Sequence, residues 1–474
     1  MSTQVKLMHY RNGTLSIFSN IKTKMRTIPI FTILSCLLCT GYNSEKPQNK
    51  NTKKFILEIL EPVTVNKSNE MKLYVHYMPW FEDKTTNNGI WGQHWTMANK
   101  NPNITDTNGK HEIASWYYPV IGPYASSDPD VIEYHLLLMK YSGVDGVLID
   151  WYGTRDLWDY PANKRNAEAL VKTLVKVGLE FAVVYEDRTL REGLNSFDKV
   201  AQAKADMRYL ETNFFNRDNY IKIKGKPLLL IFGPQEIKTP SDWTSVFSVL
   251  KTKPTFLTLY AHSAGNVNNS TQTNSEGEYI WPDATSMETK YSRKNDFEVF
   301  MGGAYPGFND YYKEGGWGNS PLAAIPHENG ALFRELLEMA ARAKGVDYLQ
   351  LITWNDFGEG TMIEPTLEFR YTFLTELQRF AGVSYNVSVL EYILKLYDLR
   401  KKYKNNTFAQ EKITQAFYYL VSLQTEKAVK LIDGLIAGDF SESFEIENVL
   451  HSSFNETWQQ VWGEELIADN IYNL

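Results

Sequence analysis

Asp356 and Glu359 stand three residues apart in the segment Trp354-Asn355-Asp356-Phe357-Gly358-Glu359-Gly360, and a third acid, Glu364, follows five residues on. Two carboxylates able to face one bond are the minimum equipment for hydrolysing a glycoside. One donates a proton to the leaving oxygen, and the other acts as base or nucleophile. On fully extended backbone, residues three apart lie about 10 Å from each other at ~3.3 Å per residue. Coiling at Gly358 is expected either to bring the carboxyls to the ~5–5.5 Å of retaining enzymes or to leave them at the ~6.5–9.5 Å of inverting ones. The spacing does not choose between these. A general acid also needs a raised pKa, and Trp354 and Phe357 are placed to supply apolar surroundings.

The apolar run Tyr348–Ile352 precedes this segment and reads as a buried strand, so the acids sit at a strand end, where parallel-sheet enzymes carry their reacting groups. Other apolar runs end in similar chemistry: Asp150, Trp151 and Tyr152; Tyr185 and Glu186; His262; Tyr305 and Asp310. Of these, Trp151, Tyr152, Tyr185, Glu186, His262, Tyr305 and Asp310, together with Trp354, Asn355 and Glu364, are candidate substrate-binding residues, and Asp187 beside Arg188 reads as a structural ion pair. The eight histidines are widely spaced, with no HExxH pattern, so no metal ligand set is expected. No Gly-rich phosphate loop follows a strand and no G-x-S-x-G elbow occurs, so no cofactor is expected.

The elements that must position these groups alternate from Met71 to about Phe380. Strands are predicted at 73–78, 144–149, 180–184, 227–232, 255–260, 278–280, 298–304 and 348–352. Amphipathic helices are clearest at 130–141, 162–177, 200–212 and 332–343. Gly143 and Gly178 read as helix-terminating glycines, and Tyr220–Pro227 as a small hairpin. Eight strand–helix pairs in about 310 residues predict an α/β fold, a (β/α)8 TIM barrel over residues 71–382. Residues 383–474 are expected to be a small C-terminal helical appendage followed by an acidic tail bearing Trp458 and Trp462.

The chain has 474 residues and a net charge of −7, with no long basic run beyond its N-terminal segment, which argues against nucleic acid as a partner. Lys22, Lys24 and Arg26 precede the apolar stretch Ile28–Leu38, too short to span a membrane and suited to an export signal over residues 1–39. Ile33-Leu34-Ser35-Cys36 resembles the lipobox of bacterial lipoproteins. It makes Cys36 a candidate lipidation site and a lipid anchor the only expected membrane contact. An exported protein of the periplasm or the outer-membrane surface is the corresponding expectation. With two cysteines, Cys36 and Cys39, no disulfide framework is available. Residues 40–70 read as tether and lead-in.

Nine of the 12 tryptophans fall in segments that follow predicted strands: Trp80, Trp91, Trp95, Trp116, Trp151, Trp158, Trp281, Trp317 and Trp354. Flat aromatic platforms among polar side chains suit the apolar C–H face of a sugar ring, so an oligo- or polysaccharide is the expected ligand.

Tyr77-Met78-Pro79-Trp80, Trp91-Gly92-Gln93-His94-Trp95 and the block from Tyr118 to Pro129 resemble the N-terminal half of glycoside hydrolase family 99, the endo-α-mannosidases and endo-α-mannanases, and the related family 71/99-like proteins. Asp150-Trp151-Tyr152-Gly153, Pro306–Asp310 and Asn355–Pro365 follow in the family's order. The resemblance implies a retaining (β/α)8 glycoside hydrolase and adds Tyr77, His94 and Trp95 to the substrate-binding candidates. It also implies roles at the last strand. Asp356 takes the place of the Glu that deprotonates the substrate's 2-hydroxyl for attack on the anomeric carbon, and Glu359 that of the Glu that protonates the leaving group. Asp356 is one methylene shorter than the family's residue, and Phe357 and Gly358 replace Trp and His. That substituted motif leaves a non-catalytic saccharide-binding lipoprotein on the same barrel as the alternative, and a periplasmic structural or assembly protein as a third.

Overall fold

A computed structural model describes residues 56–191 and 197–438; the lipobox with Cys36, and Trp458 and Trp462 in the acidic tail, lie outside the described residues. Eight parallel strands close into a barrel: β1 Lys72–Tyr77, β2 Gly146–Trp151, β3 Glu180–Tyr185, β4 Lys226–Ile231, β5 Thr255–Leu259, β6 Gly277–Tyr279, β7 Val299–Ala304 and β8 Tyr348–Leu351. Each pairs with the next, and β8 returns to β1 in the register Leu73–Leu349 and Val75–Leu351. Covered on both faces, the strands are buried almost throughout. That burial is why they appear in the sequence as continuous apolar runs rather than alternating ones.

Helices surround the barrel: α1 Pro129–Tyr141, α2 Tyr160–Val177, α3 Lys199–Leu210, α4 Pro240–Phe247, α5 Met287–Ser292, α6 Ala331–Arg342 and α7 Thr372–Ala381. Asp128 caps α1 by accepting from the Asp130 N–H, with Pro129 at the first helical position. Gly178 ends α2 in the left-handed conformation at φ 78°. The Tyr220–Pro227 hairpin forms, with Lys222–Ile223 antiparallel to the start of β4.

Three further helices follow, α8 Val387–Lys402, α9 Thr407–Val421 and α10 Thr425–Ile436; α8 packs on α1, and α9 and α10 pack on α8 and on each other. Arg400 pairs with Glu133 at 3.0 Å, and the Tyr141 hydroxyl donates to the Leu420 carbonyl at 2.8 Å. Their buried apolar residues belong to the same core as the barrel. Among the described residues, no helix is long and apolar enough to cross a membrane.

Strand periodicity sorts the side chains. Alternate residues face the barrel interior and the helix layer. His76 and Gln350 face inward: His76 Nδ1 lies 3.4 Å from Gln350 Oε1, His76 meets Trp281 edge-on across the barrel, and the Gln350 amide donates to the Ile280 carbonyl. The next residue along β1, Tyr77, faces outward and bonds His135 on α1 at 3.1 Å. Trp151 likewise stacks on Tyr209 of α3, and the Tyr185 hydroxyl donates to Asp206 of α3 at 2.7 Å.

Candidate active site

After Leu351 the chain leaves β8 and folds back on itself. The Thr353 N–H donates to the Thr361 carbonyl at 2.8 Å, and the Asp356 N–H donates to Thr353 Oγ1 at 2.8 Å. Asn355 clamps this loop to the end of β1. Its side chain accepts from the Met78 N–H at 2.8 Å and donates to the Met78 carbonyl at 3.0 Å and to the Tyr124 hydroxyl at 3.1 Å. Asn355→Ala is expected to leave buried Met78 groups unpaired and to cost about 2–4 kcal/mol of stability, read as a lowered urea midpoint.

The turn depends on Gly360 rather than on Gly358. Gly360 has φ 69°, and a Cβ there would lie 2.7 Å from the Asn309 carbonyl oxygen. The Glu359 and Gly358 carbonyls accept from the Asn309 and Tyr311 N–H groups at 2.9 and 2.8 Å, tying the loop to the segment after β7.

Asp356 is buried and Glu359 is half-buried. Asp356 Oδ1 accepts the Glu359 N–H at 2.8 Å, and Glu359 Oε1 accepts from the Tyr312 hydroxyl at 3.1 Å. Removal from water raises both pKa values. The Asp356 carboxyl is pushed to about 7, its backbone N–H bonds opposing the rise. Glu359 is pushed to about 8 by burial and then by the charge of Asp356. Asp356 therefore ionises first, and Glu359 keeps its proton near neutrality, a division that suits a base and an acid.

Two more carboxyls contribute to the electrostatics of this site. Buried Asp150, the inward-facing neighbour of Trp151, is raised well above the usual range by burial and then by Glu186; Asp356 adds to the rise. Glu186 pairs with Arg188 at 2.6 Å. The predicted Asp187–Arg188 pair does not form, because Asp187 instead accepts the backbone N–H groups of Gln235, Glu236 and Ile237 at 2.7–2.9 Å. Among the described residues, no group of three or more His, Cys, Asp or Glu side chains is arranged to hold a metal ion.

Several candidates lie elsewhere than expected. Tyr77, Trp151 and Tyr185 face the helix layer, so they shape the wall rather than touch a ligand in the barrel mouth. Trp95 is fully buried, its indole N–H donating to the Tyr124 carbonyl at 2.7 Å. Trp354 is also fully buried, edge-on to His135. Glu364 accepts from the Tyr124 hydroxyl at 2.7 Å and lies 3.2 Å from His135 Nε2, a buried link between loop and α1. Asn355 is the clamp already described. His262 lies against the Pro234 carbonyl at 3.3 Å. Asp310 accepts the Tyr312 N–H at 2.9 Å and so orients the tyrosine that meets Glu359.

Glu186 stands in the carboxylate group itself. Tyr152 is buried beside Trp80, and Tyr305 is buried at the end of β7. His94 stacks flat on Trp80, with centroids 4.2 Å apart and planes 6° apart, and its Nε2 lies 3.1 Å from Asp159. The aromatic rim thins accordingly. Trp95, Trp151 and Trp354 are interior, whereas Trp116, Trp158 and Trp317 are exposed.

Sequence reasoning passed over Asp150, Arg188 and Tyr312. Strand parity would have selected Asp150 over Trp151. Nothing in the spacing marks Tyr312, which depends on the turn made by Asp310.

Comparison with known proteins agrees with this architecture. Residues 68–253 match the model of glycosyl hydrolase family 99. The family 99 resemblance thus holds over β1–β4, and Asp356 and Glu359 lie beyond the matched range. A glycoprotein endo-alpha-1,2-mannosidase-like protein of Danio rerio is 31% identical over 87 residues, 17% of this chain and 20% of that one. The glycoprotein endo-alpha-1,2-mannosidase of Xenopus laevis is 29% identical over 169 residues, 32% of this chain and 37% of that one. The chain spans about a fifth of the length of the first curated relatives it matches. Among solved structures, the GH99 endo-alpha-mannosidase from Bacteroides thetaiotaomicron superposes with a TM-score of 0.51 at 19% identity, over 70% of this chain and 99% of that one. The (β/α)8 barrel of that structure is therefore the fold of this chain.

Proposed function

We propose that this protein is a glycoside hydrolase acting on α-mannosidic linkages of an oligo- or polysaccharide, with Glu359 as general acid and Asp356 as base. The observation that carries this is the carboxyl pair after the last barrel strand, in which the carboxyl that stays protonated longer is the one beside Tyr312. The names of the family 99 relatives support mannose as the sugar. In the first step Glu359 gives its proton to the glycosidic oxygen as the bond to the anomeric carbon breaks. Asp356 takes the proton of the 2-hydroxyl, whose oxygen closes on that carbon to give a 1,2-anhydro sugar. Water then attacks the anomeric carbon and its bond to the 2-oxygen breaks; Glu359, now a carboxylate, accepts the water's proton, and Asp356 returns its proton to the 2-oxygen.

The expected pH profile follows. Activity needs Asp356 ionised, so it falls as pH drops through about 7, and needs Glu359 protonated, so it falls as pH rises through about 8. A bell-shaped kcat/KM profile with its maximum between those limbs is the expected result. Digestion of an α-mannan and mixed-glycan panel, with products read by mass spectrometry, tests the substrate; failure on every α-mannoside overturns that part.

Export as a lipoprotein anchored through Cys36 belongs to the same proposal, supported by the Leu34-Ser35-Cys36 segment behind a basic, apolar leader. Labelled palmitate is expected in the wild-type protein expressed in a Gram-negative host and not in Cys36→Ser; equal labelling of both contradicts it.

A further inference from the structure

We infer that Trp317 is a stacking platform for sugar units on the leaving-group side of the cleaved bond, an inference that rests on Glu359 being the acid. Trp317 is large and apolar, yet 42% of it is exposed. Its position is nonetheless firmly held. Its N–H donates to the Tyr312 carbonyl at 2.8 Å, and the turn before it is pinned by Ala98 N–H to the Gly315 carbonyl at 2.8 Å and by Asn99 to the Glu314 carbonyl at 2.9 Å. Gly315 packs so closely on Met97 that a Cβ would lie 2.1 Å from its sulfur. The indole stacks beside Tyr312, with centroids 6.2 Å apart and planes at 25°, and meets the edge of His94 at 5.6 Å.

Direction comes from Tyr312. Its hydroxyl bonds Glu359 while its ring lies along Trp317, so a surface leads from the proton donor outward to the exposed indole. The group that receives the proton is the departing sugar, which must therefore extend on that side. A rigid indole presented there can stack on a sugar's C–H face without first being ordered, which keeps the entropic cost of binding low.

The test compares full-length wild type, Trp317→Ala and Trp317→Phe on two substrates: an α-linked mannotetraose, and an α-mannobiosyl fluoride whose leaving group is one atom. Mannotetraose binding is titrated calorimetrically in parallel. Trp317→Ala is expected to lower the ratio of kcat/KM, tetraose over fluoride, by about 3- to 10-fold, and to weaken tetraose binding by the same factor. Trp317→Phe is expected to stay within about twofold of wild type in both. Cleavage by wild type with the ratio unmoved in Trp317→Ala overturns the platform and leaves the hydrolase standing, and so does an equal loss on both substrates. Binding that weakens in Trp317→Ala while wild type cleaves neither substrate supports the platform and overturns the hydrolase. No binding and no cleavage overturns both.

Discussion

Glu359→Gln is expected to lower kcat/KM on an α-mannosyl oligosaccharide by about 10²–10⁴-fold, the range that loss of a positioned proton donor commonly costs. Glutamine is nearly isosteric and can still accept from the Tyr312 hydroxyl, so the loop should keep its geometry. What it cannot do is deliver a proton to the departing oxygen. Stability is expected to move the other way. In the unfolded chain Glu359 ionises near 4.3, whereas burial beside Asp356 holds it to about 8 in the folded state. The folded protein therefore loses stability as pH rises between those values, and that loss is complete above the folded pKa. Glutamine removes it, so the Tm of Glu359→Gln measured at pH 8 should exceed that of wild type. An inactive and less stable variant would instead indicate that Glu359 holds the fold together.

Asp356→Asn is expected to produce a comparable loss of about 10²–10⁴-fold, through the other half of the reaction. Asparagine preserves the acceptor for the Glu359 N–H but cannot take the 2-hydroxyl proton. Because the Asp356 charge is one of the causes that raise Glu359, removing it should also bring Glu359 down, moving the alkaline limb of any residual activity to lower pH. Asp356→Glu restores the residue of the family 99 pattern but adds about 1.5 Å of side chain to a buried position already fixed by a 2.8 Å bond. A displacement of about 1 Å is enough to cost on the order of 100-fold, so this variant too is expected to lose activity rather than gain it. The site is built around the shorter side chain.

Much of the barrel was legible because parallel strands buried on both faces must be apolar from end to end, and because glycines such as Gly178 mark where a helix turns into the next strand. The acids at the end of β8 were legible because charge that breaks off an apolar run is rarely accidental. Less legible was the direction in which each neighbouring side chain points. Tyr77, Trp151 and Tyr185 lie at the ends of strands, as expected, but they sit at the alternate positions that face the helices. Parity counted from inward His76 and Asp150 separates them. Trp95, Trp354 and Glu364 read as ligand contacts because aromatic and acidic residues near a site look alike whether they meet substrate or hold the loops that do. Tyr312 carries no local signal at all: its place beside Glu359 comes from a turn after β7 meeting a loop after β8, a contact between segments 47 residues apart.

The central claim is that Glu359 donates the proton and Asp356 accepts one. The measurement that bears on it most directly is kcat/KM of wild type, Glu359→Gln and Asp356→Asn on two substrates: an α-mannosyl oligosaccharide, whose leaving oxygen needs a proton, and an α-mannobiosyl fluoride, whose leaving group needs little help. Glu359→Gln is predicted to lose at least about 100-fold on the oligosaccharide and far less on the fluoride, while Asp356→Asn loses about equally on both. Equal losses on both substrates in Glu359→Gln, or a wild-type protein that cleaves neither, would contradict it.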